Sequence, residues 1–188
     1  MAYVKKSIKK VKGSPGAPAA KNPNVVFLPA DDIASFPARS GVRALAALAL
    51  KNGEKAFSVY MTPSTISRAG ASDGDPDKVG HTDTVTGFIP GITEAIDEFM
   101  QESMGEDYIV LTSECDSSNK RMLHGTPCNP MKVKFERQDD NSGKGYNVTI
   151  AQDQPDKYLP MHYPFDLPEL ADPATDQDGS GSAGDGLG

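Results

Sequence analysis

Apolar residues fall in short runs separated by turn residues along most of this chain, a rhythm that predicts strands. Val25-Val26-Phe27-Leu28 is a continuous apolar run closed by Pro29, the form of a short buried strand. Ala44–Leu50 fits helix or strand by periodicity; its shortness and the turn residues Asn52-Gly53 after it favour strand. Ala56–Met61 alternates Phe57 and Val59 with Ser58 and Tyr60, so these two runs are expected to form a hairpin across Asn52-Gly53. Arg68–Gly80 carries three glycines, a proline and further charges, and is expected to be a long exposed loop. Thr82–Ile89 resumes as strand and stops at Pro90-Gly91.

One helix is expected, Thr93–Met104. Thr93 is a good N-cap, Glu94, Asp97 and Glu98 sit at the positive end of the helix dipole, and Gly105 ends it. Ile92, Ile96, Phe99 and Met100 recur at helical spacing on one face. Asp107–Cys115, Arg121–His124, Met131–Arg137 and Gly145–Ala151 read as four more strands, with a turn at Asp140-Asn141-Ser142-Gly143. Beyond Pro155, prolines at 160, 164 and 168 predict extended chain. About seven short strands and one helix make a mainly β protein. The expected fold is an antiparallel β-sandwich or partial barrel with one flanking α-helix and a long loop.

Charge divides the ends from the middle. The first twelve residues hold Lys5, Lys6, Lys9, Lys10 and Lys12 and no acid. From Ala151 onward there are eight acids and one lysine, a sum of −7 that equals the net charge of the whole chain. The expected organisation is a basic arm at 1–23, a β-rich domain at 24–170 and a flexible acidic Gly/Ser-rich tail at 171–188. The arm suits nucleic acid or an acidic neighbour, and the tail disfavours broad nucleic-acid binding by repelling phosphate. The plain alternative is two solvated ends without function. Met1–Lys12 is not followed by an apolar run, so a secretory signal is not expected, nor is a membrane span. A reducing compartment and free thiols are then expected for Cys115 and Cys128.

Candidate chemistry is sparse. Asp73-Gly74-Asp75-Pro76-Asp77 begins like an EF-hand calcium loop, but its sixth and twelfth positions are Lys78 and Thr84 where glycine and glutamate belong. A solvated acidic loop is the simpler reading. Cys115, His124 and Cys128 could supply three zinc ligands, but the spacing is not compact and no fourth ligand is evident, so no metal or other cofactor is expected. None of His81, His124 and His162 stands in a recognisable catalytic setting, and no nucleophile elbow or phosphate-binding glycine loop is present, so an enzyme is not expected. The chain has no tryptophan and only 7% aromatics, which weakens nucleic-acid stacking and sugar binding.

Pro23-Asn24-Val25-Val26-Phe27-Leu28, Asp31–Pro37, Tyr60–Ile66, Gly87-Phe88-Ile89-Pro90-Gly91 ahead of the acidic helix, and His124–Pro130 together resemble structural proteins of tailed-bacteriophage particles, in particular tail tube proteins. The resemblance covers residues 23 to about 150. It implies a β-sandwich with one flanking helix and a long loop. It also implies self-assembly into stacked, hexameric rings that form a channel through which DNA passes only as cargo. The implied partners are copies of itself and other virion proteins, and the implied location is the virion, assembled in the bacterial cytoplasm. The candidate inter-subunit contacts are Lys5, Lys6, Lys9, Lys10 and Lys12 of the arm and Asp73, Asp75 and Asp77 of the loop. A capsid-decorating or head–tail connector protein, or a monomeric ligand-binding module, is the alternative.

Overall fold

The computed structural model describes residues 5–14, 16–115 and 117–173. The expected flexible tail lies outside the described residues from 174 onward. The protein is mainly β: the described residues form one large, mostly antiparallel sheet of eleven strands, a two-stranded sheet and a single α-helix. No barrel closes.

β1 (Asn24–Pro29) pairs on one side with β6 (Phe57–Tyr60) and on the other with β9 (Asp107–Glu114). Side chains alternate along it, so Val25 and Phe27 enter one core and Val26 and Leu28 a second. In the same way β9 sends Tyr108 and Val110 to the first core and Ile109 and Leu111 to the second. Two faces buried at once explain why these two strands read as unbroken apolar runs rather than as alternation.

From β9 the sheet extends both ways. One arm runs through β10 (Ser117–His124) and β13 (Met161–Tyr163) to β4 (Arg43–Ala44) and β3 (Arg39–Ser40). The other runs through β11 (Met131–Asp140), β12 (Gly143–Gln152) and β8 (Gly80–Pro90) to β7 (Ser67–Asp73). β13 pairs with β4 in parallel, at His162 and Arg43. The sheet curls until the chain after β6 meets β8: Thr62 N donates to Phe88 O at 2.8 Å. The first core fills the space so enclosed, and α1 (Glu94–Glu102) covers it. Phe99 meets Phe27 and Phe57 edge-on, while Phe27 and Phe57 stack with centroids 5.6 Å apart. The Thr93 cap is as expected, its hydroxyl accepting from Ile96 N at 3.4 Å.

Three expectations need correction. Ala44–Leu50 is not one strand and does not pair with Ala56–Met61. It holds the last residue of β4 and the short β5 (Ala49–Leu50), and β5 pairs with β2 (Ile33–Ser35) in the small sheet. A turn forms at Gly53, where φ is +89°, but β6 pairs with β1 because Phe57 packs beside Phe27 across that ladder. Second, Arg68–Gly80 is mostly strand. β7 pairs with β8 from Ser67↔Thr86 to Asp73↔Gly80, leaving only 74–79 as loop. β7 is an exposed edge and needs no apolar alternation, which is why its small residues resembled a loop. A Cβ at Gly70 would meet the His81 ring, so any larger residue there would make that side chain shift. Third, the described residues form thirteen strands rather than about seven; β13 sits between Pro160 and Pro164, its Tyr163 fully buried with its hydroxyl accepting from Leu48 N at 3.1 Å.

Candidate functional site

The residues proposed for assembly lie on two exposed features. Lys5, Lys6, Lys9, Lys10 and Lys12 lie on chain without regular structure, and among the described residues no ion pair ties them to the domain. The arm is anchored further on, where Asn22 N donates to Ser113 O and Cys115 N to Ala20 O, both at 3.0 Å. Asp73, Asp75 and Asp77 occupy the tip of the β7–β8 hairpin. There Asp73 Oδ1 accepts from Gly74 N at 2.8 Å and Asp75 O from Lys78 N at 2.8 Å. These bonds shape the turn.

β7 is the more telling element. It ends the sheet, and its seven residues Ser67-Arg68-Ala69-Gly70-Ala71-Ser72-Asp73 are nearly all exposed. Nothing among the described residues pairs with its outer edge. Such an edge offers a row of backbone donors and acceptors to another chain.

The structure also gathers what the spacing did not show. All three histidines, His81, His124 and His162, line one groove of ≈ 580 Å³, together with Arg68, Glu114 and Lys120. His124 is buried; it donates through Nδ1 to the Asp83 carboxylate, and its Nε2 lies 2.9 Å from Thr112 Oγ1. An aspartate, a histidine and a hydroxyl in line resemble a hydrolytic triad. Thr112, however, is buried in the middle of β9 and does not line the groove, so no substrate can reach its oxygen. The trio joins β8, β9 and β10 across the end of the first core. Period-two alternation did carry a signal: Asp83 shares its face with Val85, Gly87 and Ile89, and so points inward.

At the groove's rim Glu114 meets three cations: Arg68 at 3.1 Å, Lys120 at 3.2 Å and Lys21 at 4.0 Å. Burial pushes its carboxyl up, but the hydrogen bonds from Lys120 and Arg68 and the charges of Lys120 and Lys21 outweigh that and hold it below the ordinary carboxylate value.

Cys115, His124 and Cys128 are not brought together. Both cysteines are exposed and lie in turns, Cys115 just past the end of β9 rather than on the strand. Cys115 Sγ donates to Lys21 O at 2.9 Å. Among the described residues no group of three His, Cys, Asp or Glu is placed to hold a metal ion, and no helix is long and apolar enough to cross a membrane.

Comparison with protein-family models, with curated proteins and with solved structures found no match.

Proposed function

We propose that this chain is a self-assembling structural subunit of a phage particle, a tail tube protein whose rings stack around a channel for DNA. The observation that carries the reading is the uncovered edge of β7 at the end of an open, curled sheet. Proteins that stay monomeric blunt such edges with lysine, proline or a covering loop. β7 has two charged residues, at its second and last positions, and a flat run of alanine, glycine and serine between them. Ring closure pairs each edge with a neighbour and leaves none open. The exposed hairpin tip at 74–79 and the basic arm then extend to adjacent subunits.

Gel filtration and negative-stain microscopy of the purified chain test this. Discrete rings, hexameric by the family resemblance, or tubes are the expected result. A lone 20 kDa particle at all concentrations and salt conditions overturns it. The histidine-lined groove favours a second reading, a monomeric ligand-binding module, and that same lone particle would turn attention to it.

A further inference from the structure

Which backbone groups of β7 face outward follows from its neighbour β8. Just past β8, Gly91 N donates to Lys144 O at 2.9 Å, and within it Asp83 N donates to Gln152 Oε1 at 3.3 Å. The odd-numbered residues of β8 thus turn their backbone groups toward β12. The even-numbered ones turn the other way: Phe88 O accepts from Thr62 N at 2.8 Å, and Phe88 N donates to Thr65 Oγ1 at 2.9 Å. Thr86, Thr84, Thr82 and Gly80 therefore exchange bonds with Ser67, Ala69, Ala71 and Asp73. Arg68, Gly70 and Ser72 alternate with these, so their N–H and C=O groups point out from the sheet edge, where no described residue meets them.

The side chains leave that row accessible. Ala69, Gly70, Ala71 and Ser72 are small and exposed, and β7 has no proline. The Arg68 side chain turns back into the groove, bound to Glu114 at 3.1 Å and only 17% exposed, so it does not guard the edge. The segment is also nearly symmetric about Gly70. Laid antiparallel against a second β7 with Gly70 on the two-fold axis, Arg68 faces Ser72, Gly70 faces Gly70, and every outward group has a partner. Ala69 falls opposite Ala71 and Asp73 opposite Ser67, so no like charges meet. Sliding the register by two residues either way leaves outward groups at one end unpaired. Sliding it further sets Arg68 against Arg68 or Asp73 against Asp73.

We propose that β7 of one copy pairs antiparallel with β7 of a second copy across a two-fold axis at Gly70, joining their large sheets into one. The inference rests on the assembly reading of β7 and names the partner edge as β7 itself. Such pairs, alternating with a second two-fold contact, close only rings of even number.

The experiment uses the full chain with Cys115→Ser and Cys128→Ser, since both thiols are exposed. One preparation adds Ala69→Cys and the other Ala71→Cys, both conservative changes at exposed positions. In the proposed register these two positions are a non-hydrogen-bonded pair, about 4.5 Å apart between Cα atoms and within reach of a disulfide. After mixing under mild oxidation, the A69C–A71C dimer should form at least about tenfold faster than A69C–A69C or A71C–A71C, because pairing raises the local thiol concentration. The preference should survive salt that shortens the Debye length to about 3 Å, since backbone bonds hold the pair. Ser72→Pro, which removes an N–H used only by the partner, should abolish it while the circular dichroism of the chain stays unchanged. Equal rates for the three cross-links, a faster A69C–A69C or A71C–A71C, loss of the preference in salt, or its persistence in Ser72→Pro each overturn the proposal. The two readings fail separately: rings or tubes without the A69C–A71C preference leave assembly standing, and the cross-linked pair without rings or tubes leaves the two-fold contact standing.

Discussion

Buried polar side chains carry the sharpest consequences at the scale of single residues. Asp83 accepts from buried His124, and removing it leaves an imidazole donor without an acceptor. Asp83→Ala should lower the unfolding free energy by about 1–3 kcal/mol, the cost of an orphaned buried group, and Thr112→Val by less. Urea denaturation with an unchanged slope checks both. An equal loss from Thr112→Val would show that packing, rather than the aspartate–histidine bond, holds that corner. Glu114 makes a pH prediction. Its folded carboxyl titrates below the ordinary value, so its stabilising contribution is complete above the unfolded carboxylate range and is lost as pH falls through the folded value. The stability gap between wild type and Glu114→Gln should therefore be widest near neutrality and close below about pH 4. Tyr108 gives the opposite sign. Burial first, then the charges of Glu106 and Glu102, raise its phenol to about 12. Its contribution is intact below about pH 10 and disappears as pH rises through about 12, and Tyr108→Phe should blunt the alkaline unfolding in that window.

Elements divide into those whose identity is local and those decided by their neighbours. The helix was legible because its cap, dipole and apolar stripe all belong to one stretch, and Thr93 performs the expected bond. The β11–β12 hairpin was legible for a similar reason: Asp140 Oδ1 accepts from Ser142 N at 2.7 Å and Gly143 N at 3.2 Å and sets the turn. β6 was misassigned to a hairpin partner because Asn52-Gly53 advertises a turn, while the preference of Phe57 for Phe27 appears only after folding. β7 was missed because edge strands are released from the alternation that marks half-buried ones. Asp83, Thr112 and His124 are 41 residues apart at the extremes, so only their inward parity, not their spacing, announced them. The corrected hairpin sharpens one test. Replacing 74–79 with Asn-Gly keeps every β7–β8 pair, so the variant should fold with a thermal midpoint close to that of wild type while losing polymerisation. Normal polymers from it would make the tip mere surface.

At the scale of the whole molecule, the sheet ends in β7, whose outer edge faces solvent. Ala71→Lys, on the exposed outer strand, should change monomer stability by no more than about 0.5 kcal/mol. It should sharply reduce ring or tube yield, since an edge lysine opposes further pairing. Sedimentation velocity reads both species, and unaffected polymer would remove β7 from the interface.

The doubly buried ladder of β1 has one further consequence, for the order of events in time. Val25–Leu28 is among the first parts of the domain to be synthesised, yet its second partner, Ile109–Leu111, lies more than eighty residues later. Pairing with β6 comes sooner, but closing the larger loop to β9 makes the encounter that completes the ladder slow, in the range of roughly milliseconds to seconds. Until then a nascent chain holds an unsatisfied, strongly β-prone segment, the condition under which intermolecular strand pairing competes with folding. Refolding followed by stopped flow should show Val26→Ala slowing the folding limb if that ladder nucleates the fold, and speeding only the unfolding limb if it closes last.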